Sequence, residues 1–118
     1  MRITRSYMYF CMLFGMFASV KAVATDSVTI VLRNHLFIPA QVEVPAGKKV
    51  RLIIDNQDDT AEEFDSFDLN REKVLFPKRK SVIYIGPLSV GEYRFFGEFS
   101  PNTAQGVVIA KESSDAAQ

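Results

Sequence analysis

The chain has little with which to bind a soft metal. Of its 118 residues, one is cysteine, four are methionine and one is histidine. Cys11 and all the methionines (Met1, Met8, Met12 and Met16) fall within the first sixteen positions. No second cysteine exists, so no disulfide framework is implied. A single histidine leaves no Ser-His-Asp logic, and neither a glycine-rich phosphate loop nor a cysteine for nucleophilic work is present beyond the leader. No basic stripe marks a nucleic-acid binder.

What is there begins with an export signal. Arg2 and Arg5 form a positive n-region, Tyr7 to Val20 is an apolar run, and Ala22-Val23-Ala24 supplies the small residues of a cleavage site. The run is short of the roughly 20 residues that a spanning helix needs, and Gly15 and Ser19 weaken it further. Cys11 lies inside the run rather than at its end, unlike a lipoprotein cysteine. The reading is therefore a signal peptide over 1–24, one domain over 25–112 and a flexible polar tail over 113–118, with the exported chain periplasmic and not membrane-spanning. Every sulfur donor leaves with the leader, which excludes a type 1 copper centre. Arg2, Arg5 and Lys21 leave too, so eleven basic residues face fourteen acidic ones, and the acids gather between Asp55 and Glu72.

Periodicity in the remainder is that of strands. Val28 to Leu32, Gln41 to Val44, Val50 to Ile54, Ser81 to Ile85, Tyr93 to Phe96 and Gly106 to Ala110 alternate or run apolar, with Pro45-Ala46-Gly47-Lys48 and Gly86 to Gly91 as turns. Short strands at this spacing predict an all-β sandwich. Asp68 to Val74 is expected to form one helical turn. Phe37, Phe64, Tyr84, Tyr93 and Phe95 are expected to fill the core, with the Tyr93 hydroxyl pinning a corner. Lys78-Arg79-Lys80 reads as a solvated turn able to steer an acidic partner.

The order Phe37-Ile38-Pro39, Val44-Pro45-Ala46-Gly47, a strand ending in Asn56, Gly86-Pro87-Leu88 and Gly91-Glu92-Tyr93 resembles the cupredoxin pattern across the whole domain. The resemblance implies a Greek-key β-sandwich in which the first ligand, usually His, follows the Asn by six or seven residues. Its other ligands share one loop, spelled Cys, His three on and Met four further. In this chain those positions hold Gly97, Ser100 and Ala104. Losing the imidazole at Ser100 weakens copper more than iron.

Acidic residues stand near the lost ligands. Glu62 and Glu63 fall at the first position and Glu98 lies beside the position of the cysteine. His35 precedes Phe37 in the loop between the first strands. The candidate metal set is therefore His35, Glu63 and Glu98, converging from three loops on one end of the sandwich, with Glu62 and Asp65 as secondary candidates. Such donors suit iron, manganese or copper(II) rather than copper(I). Adjacent strand residues face opposite ways, and Glu63 is preferred over Glu62 because it directly precedes Phe64. Asp55, Asp58, Asp59 and Asp68 read as solvated turn acids.

A narrower likeness is carried by Thr60-Ala61-Glu62-Glu63-Phe64-Asp65-Ser66, Asn70-Arg71-Glu72-Lys73, Gly97-Glu98-Phe99 and Thr103-Ala104-Gln105-Gly106. These phrases resemble the periplasmic cupredoxin-like component of bacterial ferrous-iron uptake. The resemblance implies binding of iron or copper(II) as an accessory to a membrane iron permease, beside a second periplasmic metal-binding protein, and possible assistance to iron(II) oxidation rather than catalysis of its own. The competing reading is a metal-free module that docks a periplasmic or membrane partner.

Overall fold

Alternation of apolar and polar side chains sorts the chain into two facing sheets. The computed structural model describes Gly15 and residues 25–113, which contain nine strands and no helix. The expected leader and the end of the tail lie outside the described residues, Gly15 apart. The strands are β1 (Asp26–Arg33), β2 (Leu36–Ile38), β3 (Gln41–Pro45), β4 (Val50–Asn56), β5 (Glu62–Ser66), β6 (Arg71–Leu75), β7 (Arg79–Ile85), β8 (Gly91–Gly97) and β9 (Gln105–Lys111). One sheet has the order β2-β1-β4-β7, the other β3-β9-β8-β5-β6. The all-β sandwich expected from periodicity is thus observed.

Two strand pairs are parallel, and both join distant parts of the chain. Ile30 pairs with Ile54 between β1 and β4, and Val44 with Ala110 between β3 and β9. The remaining pairs are antiparallel. Ile30, Leu32, Leu52, Ile54, Ile83 and Ile85 of the first sheet bury against Val42, Val44, Phe64, Phe95 and Val108 of the second. Their burial out of water supplies the main drive to fold. At the centre Phe95 stacks on Phe64 with centroids 5.1 Å apart, while Phe37 meets Phe95 edge-on at 5.1 Å.

The Tyr93 hydroxyl donates to the Ser89 carbonyl at 2.9 Å, the corner tie expected for this position. Tyr84 is not in the core. It points outward from β7, 47% exposed, with Lys49 Nζ 4.7 Å from its ring centroid. The helical turn expected over Asp68 to Val74 is likewise absent. Residues 67–70 make a tight turn, with Asn70 at φ 52°, and β6 follows at once. Ser66 Oγ accepts from the Leu69 amide at 3.0 Å and donates to the Arg94 carbonyl at 2.6 Å, which binds this turn to β8. β6 is an edge strand whose first four residues, Arg71 to Val74, are exposed.

His35 sits in the two-residue turn between β1 and β2. Asn34 and His35 both have positive φ, 51° and 59°, as a type I′ hairpin requires. Asp58 clasps the turn by accepting the Asn34 amide at 2.7 Å and the His35 amide at 3.0 Å. Burial by itself raises the Asp58 pKa, but those two hydrogen bonds, together with the nearby His35 and Lys78 charges, hold the carboxyl below its ordinary value. Asp58 is therefore a structural clasp and not the solvated acid its loop position suggested. A positive φ strains any residue with a Cβ by about 1 kcal/mol. Replacing His35 with glycine is accordingly expected to leave thermal stability unchanged or slightly higher, because both hydrogen bonds of the Asp58 clasp are to backbone amides and the exposed imidazole stands 3.9 Å from Asp58. A clear loss in a melting experiment would show that the imidazole is structural.

Candidate metal centre

Strand parity decides which carboxylates can meet. In β5, Glu62, Phe64 and Ser66 are buried, while Glu63 and Asp65 lie between them on the outer face. Across the β5–β6 hairpin Asp65 pairs with Glu72. The β8–β9 loop returns beside β5, where the Glu98 amide donates to the Glu63 carbonyl at 2.9 Å. Glu63, Asp65, Glu72 and Glu98 thereby each offer an oxygen lying within 4.8 Å of all the others. The four stand on the outer face of the five-stranded sheet, beside a surface groove lined also by Phe67, Asn70 and Arg71.

Crowding like charges at this spacing is costly unless protons or a cation intervene. Hydrogen bonds shared with the carboxyls of Glu98 and then Glu72 raise Glu63 to about 7. Burial, followed by a hydrogen bond with Glu98, raises Asp65 to about 6. The folded protein therefore holds these protons more tightly than the unfolded chain. The stability they contribute is fully present below the ordinary carboxyl values, 4.5 for Glu63 and 3.8 for Asp65, and is lost as pH rises through about 7 and about 6. Glu63→Gln keeps the shape without the charge. Its melting temperature relative to the unmodified protein should climb steadily from about pH 4.5 to about pH 7.5, whereas a constant difference would show that Glu63 shares no proton.

Of the expected set, Glu63 and Glu98 are brought together and His35 is not among the four. It belongs to the hairpin at the edge of the opposite sheet, where its side chain is 53% exposed and its Nδ1 lies 3.9 Å from Asp58 Oδ2. Asp65 joins the group as a full member. Glu72 was missed, although the turn residues Asp68 and Asn70 ahead of it signal the hairpin that delivers it. Glu62 faces the interior and is 2% exposed. Its Cδ would stand 2.6 Å from a Cβ on Gly97, and the Ala104 Cβ would stand 2.8 Å from that same atom. The interior space bounded by Gly97 and Ala104, two of the positions at which the cupredoxin resemblance implies ligands, is thus filled by a carboxylate.

Two facing sheets with parallel β1–β4 and β3–β9 pairs, and no sulfur or imidazole at Gly97, Ser100 or Ala104, define a copper-protein type of sandwich without type 1 ligands. A family model for the cupredoxin-like domain matches residues 6–110, and the chain belongs to that family. An uncharacterized protein of Rickettsia prowazekii (strain Madrid E) is 48% identical over 85 residues, spanning 72% of this chain and 68% of that protein. The metal-binding domain of the Streptococcus pneumoniae Cu(I)-exporting P-type ATPase superposes with a TM-score of 0.64 at 14% identity, covering 73% of this chain and 85% of that one. Auracyanin A, a blue copper protein from Chloroflexus aurantiacus, superposes with a TM-score of 0.64 at 10% identity over 75% of this chain and all of that one, 100%. At such identities the likeness establishes the fold.

Proposed function

We propose that this protein is an exported binder of iron or copper(II) that holds the ion through carboxylates, as an accessory to a membrane iron permease. The observation that carries the reading is the convergence of Glu63, Asp65, Glu72 and Glu98 within 4.8 Å. Oxygen donors on opposite sides of one hard cation stand about 4–5 Å apart, twice the ion–oxygen distance, so the group fits a single ion. The role beside a permease and a second periplasmic metal-binding protein is supported by the phrases from Thr60 to Ser66, Asn70 to Lys73 and Gly97 to Phe99. A bound ion would take the place of the protons that Glu63 and Asp65 hold, so affinity should rise with pH up to about 7.

Calorimetric titration with manganese(II), anaerobic iron(II) and copper(II) tests the reading. Glu63→Gln and Glu98→Gln should each weaken binding by about tenfold or more. Asp59→Asn, at an acid 90% exposed, should not. Copper(II) should give only weak colour, since no thiolate is available in the described domain. Equal affinity in the two Gln variants would sink the four-carboxylate site. The competing docking reading is favoured by Phe67, which is 89% exposed beside Asp65 and Glu72. It takes over if no ion binds.

A further inference from the structure

The carboxylate of Glu62 is enclosed by the sandwich, yet its hydrogen bonds lead to the outer cluster. Its Oε1 accepts the amide of Glu63 at 2.9 Å and the amide of Phe99 at 2.8 Å. One oxygen thereby holds the backbone of Glu63 itself and that of the residue following Glu98. Its Oε2 is buried without a hydrogen-bond partner. The only other backbone bond from residues 98–104 to β5 is the one from the Glu98 amide to the Glu63 carbonyl at 2.9 Å. A neutral loop crossing would leave the Phe99 amide to water, and burying an unsatisfied carboxylate oxygen is costly. A residue merely filling space here would be apolar.

We infer that Glu62 is the positioning residue of the carboxylate cluster, fixing Glu98 against Glu63 from inside the sheet without touching the ion. The inference rests on the reading of that cluster as a metal site. Strand parity keeps the Glu62 side chain off the outer face, so it acts through the two backbones it binds. Gly97 is its necessary partner, since a Cβ there would stand 2.6 Å from Glu62 Cδ and 2.8 Å from its Oε2.

Two measurements on the protein test this, manganese(II) affinity by calorimetry and hydrogen exchange of the Phe99 amide without metal. Glu62→Gln keeps an acceptor oxygen and should leave both near the unmodified values. Glu62→Leu keeps the bulk without the acceptor. It should release the Phe99 amide to exchange at the rate of an open loop and weaken manganese(II) by about 10–100-fold, the usual effect of losing a residue that orients a ligand. Affinity is measured well below each variant's melting temperature, so that lost fold stability does not enter. If Glu62→Leu does not fold, Gly97→Ala replaces it, displacing the carboxylate from the other side, and must give the same two losses. Fast exchange of Phe99 in the unmodified protein, or unchanged manganese(II) affinity in Glu62→Leu or Gly97→Ala, overturns the inference. Failure of the unmodified protein to bind manganese(II) overturns the cluster reading instead, while the Phe99 amide still reports whether Glu62 holds the loop.

Discussion

Replacing Asn56 with alanine is expected to remove about 3 kcal/mol of stability, counting roughly 1 kcal/mol for each of its two N–H donors, one of them shared between carbonyls, and for its acceptor oxygen. Asn56 is fully buried. Its Nδ2 donates to the carbonyls of Thr60, Leu75 and Phe76 at 3.0, 3.1 and 3.2 Å, and its Oδ1 accepts the Asp58 amide at 3.0 Å. One side chain therefore ties the β4–β5 loop to the end of β6, and it also sets the Asp58 clasp that closes the β1–β2 turn. Alanine leaves the Leu75 carbonyl without a partner in a buried place and the other three groups without one in part-buried places. Asn56→Asp should be worse at neutral pH, because it turns an anionic oxygen toward three carbonyls, and it should recover in part on acidification as the acid regains a donor. Urea unfolding of the three proteins decides the matter. A loss below about 1 kcal/mol for alanine would mean that these groups find other partners.

Phe95→Ala is expected to cost a comparable amount, about 4 kcal/mol, from the lost transfer energy plus the cavity that remains. Phe95 is 2% exposed and touches both other rings of the aromatic trio. The same ring covers Gly106, where an added Cβ would collide with it. Gly106→Ala should therefore destabilise the unmodified protein and cost less once Phe95 is alanine, the remaining loss coming from the Ala40 carbonyl oxygen 2.9 Å from the added Cβ. Denaturation of the two single variants and the double variant gives the coupling directly. Additive losses would show that the ring does not press on Gly106.

Six of the nine strands could be read from alternation, because β1, β3, β4, β7, β8 and β9 each put a clear apolar row into the core. β2 is three residues long and offers no period. β5 and β6 were obscured by charge. In Glu62–Ser66 only Phe64 is apolar, and in Arg71–Leu75 only Val74 and Leu75 are. The same gap cost part of the site. Without the β5–β6 register nothing placed Glu72 opposite Asp65. The choice of Glu63 over Glu62 agrees with parity, since an inward Phe64 takes Glu62 inward with it and leaves Glu63 on the outer face beside Asp65. Glu63 and Glu98 were legible as neighbours because the cupredoxin resemblance sets the end of β8 beside the start of β5. His35 was misplaced because its loop belongs to the other sheet.

The position of β9 ties closure of the five-stranded sheet to the synthesis of that strand. β3 sits at the edge of its sheet with β9 as its one hydrogen-bonded neighbour, so that Gln41 waits for Val107 and Val44 for Ala110. Pairings so distant in sequence form slowly, because the loop entropy is lost before the contacts are gained. A nascent chain ending before Gln105 has no place to dock β3 and no partner for the free edge of β8. It stays open until β9 is made, and Gln105 to Lys111 act as the seam of the domain.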